Sequence, residues 1–150
     1  MKNKEFYGLI EDILASPDFR SLRHCRHHVR SNVYDHSLKV AYLCYRHHKR
    51  FGSRIPLAEF VRGALLHDFY LYDWHDDWPL HRWHLFAHAD IALQNAVRAY
   101  PALTYVQRDM IRNHMFPVTP HRVPRTASGW WLCFYDKVAA ISDYLGIKKV

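Results

Sequence analysis

The residues 33–50, VYDHSLKVAYLCYRHHKR, repeat their apolar side chains at intervals of three or four positions. Val33, Val40 and Cys44 therefore share one face of a helix, and His36 lies on that same face, three positions after Val33. Gly52 follows the stretch, and glycine is the residue that most often ends a helix. The stretch predicts an amphipathic helix that carries an imidazole toward the protein core.

The rest of the chain shows the same helical periodicity and lacks the strict alternation that is typical of strands. We predict further helices over residues 3–15, 57–68, 85–99, 103–114 and 128–144, with the first helix ending at Ser16-Pro17 and a loop over 69–83. There is no repeat, no Gly/Ser/Pro-rich linker and no glycine-rich phosphate loop. The 150 residues therefore predict one all-α domain, a helical bundle of five or more helices spanning residues 1–150.

Composition narrows the class of protein. The net charge of +7 suits anionic partners, but the basic residues are dispersed and no continuous Lys/Arg tract favours nucleic acid. The three cysteines form no Cys-x-x-Cys pair, which is typical of a reducing compartment. Without a signal-like N-terminus or an apolar run of about 18 residues, we expect a cytoplasmic protein with no membrane span. A basic helical nucleic-acid-binding protein is the least favoured reading.

Three predicted helices each direct ionisable groups toward the core. His36 lies in the second helix, the pair His67-Asp68 follows the apolar Ala64-Leu65-Leu66, and Asp136 lies within the inward stripe of the last helix. Because a buried carboxylate is costly unless it is paired or bound to a metal, a shared divalent cation would explain all of them. A mixed His/Asp set suits Mn, Fe, Co, Ni or Zn better than Ca. Taken singly, each residue could instead be a hydrogen-bonded core histidine or an acid paired with Lys or Arg.

Three blocks resemble the HD domain superfamily of metal-dependent phosphohydrolases: YDHSLKVA at 34–41, GALLHD at 63–68 and YDK at 135–137. The resemblance covers residues from about 24 to 146. It implies an HD-like helical bundle in which His36, His67, Asp68 and Asp136 bind a divalent metal. It also implies hydrolysis of a phosphoester of a small phosphorylated compound, with a nucleotide as one candidate, by a metal-activated water that Asp68 helps to orient.

Some members of that superfamily hold a second metal with extra histidines between the His-Asp pair and the last aspartate. His88 and His114 are the candidates here, and the alternative is that they contact substrate phosphate or line the pocket wall. One or two ions are therefore expected. For substrate binding we name Arg26, Lys137 and two histidines, His28 and His84. The other histidines, His24, His27, His47, His48 and His121, are assigned to the surface.

The segment after the His-Asp pair departs from the family pattern. Members often place an acid or a lysine there, whereas this chain has Phe69-Tyr70-Leu71-Tyr72-Asp73. Asp73 is the candidate general acid or base, with Tyr72 or no dedicated group as alternatives. The departure also supports a rival function, a catalytically silent metal- or ligand-binding module. The aromatic residues between Tyr70 and Trp83 are expected to seal the mouth of the bundle or to form a homodimer contact, rather than to stack on a nucleobase.

Overall fold

The computed structural model describes residues 3–28, 31–73 and 84–145, without the side chains of His28 and His84. These ranges form an all-α bundle, as predicted. The helices are α1 (Lys4–Gly8), α2 (Glu11–Ala15), α3 (Pro17–Ser21), α4 (Val33–Phe51), α5 (Leu57–Leu65), α6 (His84–Ala99), α7 (Tyr105–Asn113) and α8 (Ala127–Tyr144), with a 3-10 turn at Leu22–His24. Two short antiparallel strands, β1 (Arg26–His28) and β2 (Ser31–Asn32), precede α4. Within these ranges no helix combines the length and apolar character that a membrane crossing requires.

Side-chain caps fix where the long helices begin. The Asn32 side chain accepts a hydrogen bond from the backbone N–H of Asp35 at the start of α4. Thr104 and Gln107 form a reciprocal capping box on α7. Thr126 caps α8 by accepting from the N–H of Gly129. Since each cap satisfies an amide that the helix cannot, it contributes roughly 1 kcal/mol. The bounds of α4, α7 and α8 lie close to those predicted, and so do the bounds of α6.

The core lies where the long helices meet. Helix α4 packs against α5 and α8, while α7 contacts α5, α6 and α8. The short N-terminal helices close one side, and they bury Phe6, Ile10, Ile13, Phe19 and Leu22 almost completely. Burying a side chain of this size stabilises the fold by about 1.5–3 kcal/mol. The packing holds α4, α5 and α8 rigidly around the ionisable groups that they carry.

Three features of local structure were not predicted, although the predicted break at Ser16-Pro17 is present. The expected helix 3–15 is two helices, because Ile10 has φ −132° and ψ 8° and interrupts the helical backbone between α1 and α2. Ser16-Pro17 ends one helix but also starts another, since Ser16 caps α3 and Pro17 occupies its first turn. The strand pair of β1 and β2 was not expected, because strands of three and two residues are too short to show an alternating pattern.

Helix α5 also ends earlier than predicted, at Leu65 rather than at residue 68. Leu66 has φ −93° and ψ 2°, so His67 and Asp68 lie in the turn that follows the helix. Ending there leaves the carbonyl of Ala64 without its helical N–H partner, and His67 Nδ1 donates to that oxygen at 2.7 Å. The turn thus fixes the ring of His67.

His47 and His48 were assigned to the surface, and the structure shows that this assignment is wrong. His47 is buried on the α4 face that includes Val40 and Cys44, its Nδ1 lies 3.1 Å from the Tyr135 hydroxyl, and its ring packs 4.1 Å from that of Trp131. His48 is half-buried, and its Nε2 donates to a backbone carbonyl at the start of the next segment. The burial of His47 could have been predicted, because it lies one helical turn after Cys44 on the same face of α4.

Candidate metal centre

The structure brings together six ionisable side chains that the sequence singled out. His36 comes from α4, Asp136 from α8, His88 from α6 and His114 from the end of α7, while His67 and Asp68 come from the turn after α5. All six are buried, with at most 7% of any residue exposed. Ionisable groups seldom gather in a core without a partner of opposite charge or a metal, so the cluster calls for a chemical explanation.

The first group of possible ligand atoms lies around Asp136 Oδ1 and includes Nε2 of His36 and Nε2 of His67. His36 Nε2 lies 3.0 Å from Asp136 Oδ1, and His67 Nε2 lies 3.6 Å from the same oxygen. His67 Nε2 is also 3.3 Å from Asp68 Oδ2. Ligand atoms that share an ion at about 2.1 Å stand roughly 3.0–3.4 Å apart, so these spacings match a coordination sphere. The buried His/Asp cluster could hold a metal ion.

A second group of atoms surrounds the other oxygen of Asp68. Asp68 Oδ1 lies 3.3 Å from His88 Nε2 and 3.3 Å from His114 Nε2, and the two imidazole nitrogens are 3.0 Å apart. His67, Asp68 and His114 together also have ligand atoms close enough to bind one ion. The two oxygens of one carboxylate therefore face different sets of imidazoles.

The far nitrogen of each of three imidazoles is held by a hydrogen bond. His36 Nδ1 lies 3.0 Å from Asp143 Oδ2, His67 Nδ1 donates to the Ala64 carbonyl, and His114 Nδ1 donates to the Ile111 carbonyl at 2.7 Å. Each contact turns Nε2 toward the centre of the cluster. Carboxylate or carbonyl partners at the far nitrogen are typical of metal-binding histidines, because they fix the tautomer and raise the basicity of the ligand.

Two buried atoms of the cluster lack a hydrogen bond within the described part of the chain. They are His67 Nε2 and Asp68 Oδ1, which face the first and the second group respectively. A buried polar atom without a partner is uncommon in proteins and points to a missing water or ion. Since both atoms are ligand types for transition metals and both are directed inward, the donor set fits a divalent cation.

Electrostatics favour ionised carboxylates in the centre. Burial raises the pKa of Asp68 and of Asp136, but neighbouring imidazoles outweigh it and hold both pKa values well below their usual range. Burial lowers the pKa of His67, yet the carboxylates of Asp68 and Asp136 raise it to about 10. Burial also lowers the pKa of His114, to about 4, with Asp68 opposing. The imidazoles thus stabilise the ionised form of both carboxylates, and the carboxylates in turn stabilise the charged form of His67.

Two residues near the centre were missed from the sequence. His27, assigned to the surface, has its Nε2 3.2 Å from Asp68 Oδ2 and stacks on the ring of His36 at 3.8 Å. It alternates with the exposed Arg26 on β1, a strand too short to reveal that alternation. Asp143 had a readable signal, because it lies two helical turns after Asp136 and so shares its face of α8.

The other proposed substrate and catalytic residues are placed as follows. Lys137 Nζ donates to Asp136 Oδ2 at 2.9 Å and to the His114 carbonyl, so it ties α8 to the end of α7. Arg26 is exposed, whereas Asp73 is half-buried near Cys25, whose pKa is raised by burial and then by that carboxylate. Burial and the Asp68 carboxylate raise the pKa of Tyr72 to about 12. The side chains of His28, His84, Trp74, Trp78 and Trp83 lie outside the described part.

No family model, no curated protein and no solved structure matches this chain.

Proposed function

We propose that this chain is a metal-dependent phosphohydrolase that hydrolyses a phosphoester of a small phosphorylated compound. In this proposal His36, His67, Asp68 and Asp136 bind one divalent cation, and Asp68, His88 and His114 bind a second. The observation that carries it is the position of Asp68, whose Oδ2 faces His67 while its Oδ1 faces His88 and His114. A carboxylate placed between two sets of imidazoles is suited to bridging two ions.

The donor types indicate which cations the centre would take. Imidazole nitrogen and carboxylate oxygen in one sphere suit Mn, Fe, Co, Ni or Zn, whereas Ca and Mg favour oxygen ligands alone. His36, His67 and His114 each direct the ring nitrogen Nε2 into the cluster. These side chains offer three nitrogen ligands. We therefore expect a transition metal in the isolated protein.

The chemistry follows from what these residues can hold and orient. When bound, a divalent cation polarises a phosphoryl oxygen and lowers the pKa of a water molecule beside it. Asp68, which the neighbouring imidazoles hold in its ionised form, would orient that water. Tyr72, within the electrostatic influence of Asp68, keeps its proton at neutral pH and can donate a hydrogen bond to a phosphoryl oxygen. Asp73 remains the alternative proton-transfer group.

The three sequence blocks that resemble the HD domain superfamily support the same function. The residues that this resemblance nominates for one metal, at positions 36, 67, 68 and 136, are the residues whose donor atoms lie within hydrogen-bond or near-contact distance in the core. A small anionic substrate is further favoured by the net charge of +7. We also infer a cytoplasmic location, because the three cysteines are free thiols.

One observation favours the rival function, a metal-binding module without catalytic activity. Phe69 and Tyr70 follow the His-Asp pair directly and are both buried, so the position where family members often place an acid or a lysine is filled by core side chains. Proton transfer would then depend on Tyr72 or Asp73. The two functions make the same prediction for metal content and opposite predictions for turnover.

Metal analysis combined with an activity screen tests the proposal. We expect the purified protein to contain up to two transition-metal ions per chain and to hydrolyse phosphomonoesters, phosphodiesters or nucleotides when supplied with Mn, Co or Ni. The variant His67→Ala should lose both metal and activity, while the matched variant His24→Ala, at an exposed position, should keep both. Metal content without hydrolysis of any substrate would favour the silent module. Activity that persists in a metal-free His67→Ala protein would refute the catalytic role of the centre.

A further inference from the structure

Helix α8 exposes apolar side chains along its whole outer face. Trp131, Phe134, Val138, Ile141 and Leu145 are each between 37 and 63% exposed. Trp130 and Tyr144 flank this row and are also exposed. We refer to these seven residues as the outer face of α8. A folded monomer rarely exposes a continuous apolar patch of such length without a partner for it.

The spacing of the row is that of a helix-packing seam. Its members follow one another at intervals of three, four, three and four residues. That is the heptad spacing that keeps side chains in line when two helices pack side by side. The opposite side of α8 is occupied inside the subunit, where Leu132 and Ala139 are fully buried and Asp136 belongs to the metal centre. Apart from Trp131, whose ring also packs against His47, the outer row is additional to the contacts that α8 makes within the subunit.

The outer face carries no charge. The charged residues of α8 are Asp136, Lys137 and Asp143, and each is engaged within the subunit. Two copies of a chain with net charge +7 repel one another over most orientations. Close approach of two copies costs least at a face whose own side chains are uncharged.

We propose that α8 packs antiparallel against α8 of a second copy, forming a two-fold symmetric homodimer. In this arrangement the large Trp131 lies against the smaller Leu145, Phe134 lies against Ile141, and Val138 meets its own counterpart at the symmetry axis. A parallel pair would instead place Trp131 against Trp131. Alternating large and small residues across a contact allows the close packing that helix pairs require.

The available area is sufficient for a stable pair. The exposed parts of the seven side chains amount to on the order of 700 Å² per copy, since a large aromatic residue carries about 150–250 Å². Standard protein interfaces bury about 800 Å² on each partner. The contact would be isologous, with the same surface used by both copies. The metal centres lie on the opposite side of α8, so each subunit keeps its own complete centre.

Sedimentation of the full chain tests the proposal directly. We expect a mass of 36 kDa, twice the 18.0 kDa of one chain, at micromolar concentration. The double variant Phe134→Glu/Ile141→Glu places charges on the outer face and should sediment at 18.0 kDa. The matched control Leu85→Glu alters an equally exposed apolar residue on α6 and should remain dimeric. Circular dichroism of each variant shows whether its helices are intact.

A cross-linking experiment removes any dependence on how well the charged variants fold. Val138→Cys should form a disulfide-linked dimer on mild oxidation, because two copies of residue 138 meet at the axis, whereas Leu85→Cys should not. The native thiols are buried and serve as the background in the unmodified chain. A wild-type chain that sediments as a monomer would refute the proposal. So would a dimer that persists in the folded double variant, or one that gives no Val138→Cys cross-link.

Discussion

Asp143 offers a sharp test of the metal centre because its carboxylate contacts His36 at the ring nitrogen that faces away from Asp136. Its Oδ2 lies 3.0 Å from His36 Nδ1, and Lys39 forms an ion pair with its other oxygen. Burial raises the pKa of Asp143, but His36 and Lys39 lower it to about 2, so the side chain is ionised at neutral pH. Changing this residue should weaken metal binding without removing a ligand.

The size of the effect follows from what the carboxylate does for the imidazole. A partner at the far nitrogen of a metal-binding histidine is worth about 10–100-fold in metal affinity. Asp143→Asn keeps an oxygen that accepts from His36 Nδ1 and loses only the charge, so we expect about a tenfold loss, or ~1.4 kcal/mol. Asp143→Ala removes the acceptor as well and should approach a 100-fold loss, or ~2.8 kcal/mol.

Calorimetric titration of the metal-free protein with Zn or Co measures both variants against the wild type. The matched control is Asp35→Asn, which also removes one negative charge from the surroundings of α4 but lies exposed on its first turn. It should bind metal as the wild type does. If both Asp143 variants are folded and bind metal with unchanged affinity, then His36 is not a ligand oriented by Asp143, and the first metal group is wrongly assigned.

Three further predictions concern the metal count, pH and packing. The variant His114→Ala should lower the metal content from two ions to one, which elemental analysis would show. An unchanged metal content would refute the assignment of the second group of ligands. Because His67 holds a proton up to a pKa of about 10 and must lose it to bind metal, Kd should fall at least about tenfold for each pH unit between about 7 and 9, and a pH-independent Kd would contradict this. Gly129→Ala would place a Cβ 2.6 Å from Asp109 Oδ2 and should cost about 1–3 kcal/mol in urea unfolding, whereas Gly8→Ala, with open space around it, should be tolerated.

The long helices were predictable because each carries its own local signals. Helix α4 has an apolar stripe that begins at Val33 and a glycine just after its end, at Gly52, with φ 74°. Helix α8 begins directly after a threonine cap. The same periodicity places His36 and Asp136 on inward faces, and inward groups from different helices must meet in a small core. The convergence of these two residues could therefore be predicted without a structure.

The residues that were missed belong to features without a local pattern. His27 reaches Asp68 from β1, a three-residue strand that pairs with β2 just before α4. A backbone pairing of this kind leaves no periodicity in the sequence. Asp143, by contrast, was readable at helical spacing from Asp136. Its role is to contact His36 Nδ1, the ring nitrogen that faces away from Asp136. The sequence alone does not show that this nitrogen needs a partner.

The early end of α5 connects the fold to the chemistry of the centre. If the helix continued, the N–H of Asp68 would bond to the Ala64 carbonyl, and His67 Nδ1 would have to share that acceptor. With the helix ended at Leu65, the side chain of His67 takes that carbonyl and turns Nε2 inward. The turn also directs Asp68 between the two sets of imidazoles, where its oxygens are shared. The His-Asp pair can direct both side chains into the cluster because it lies in the turn after a buried helix and not in the helix itself.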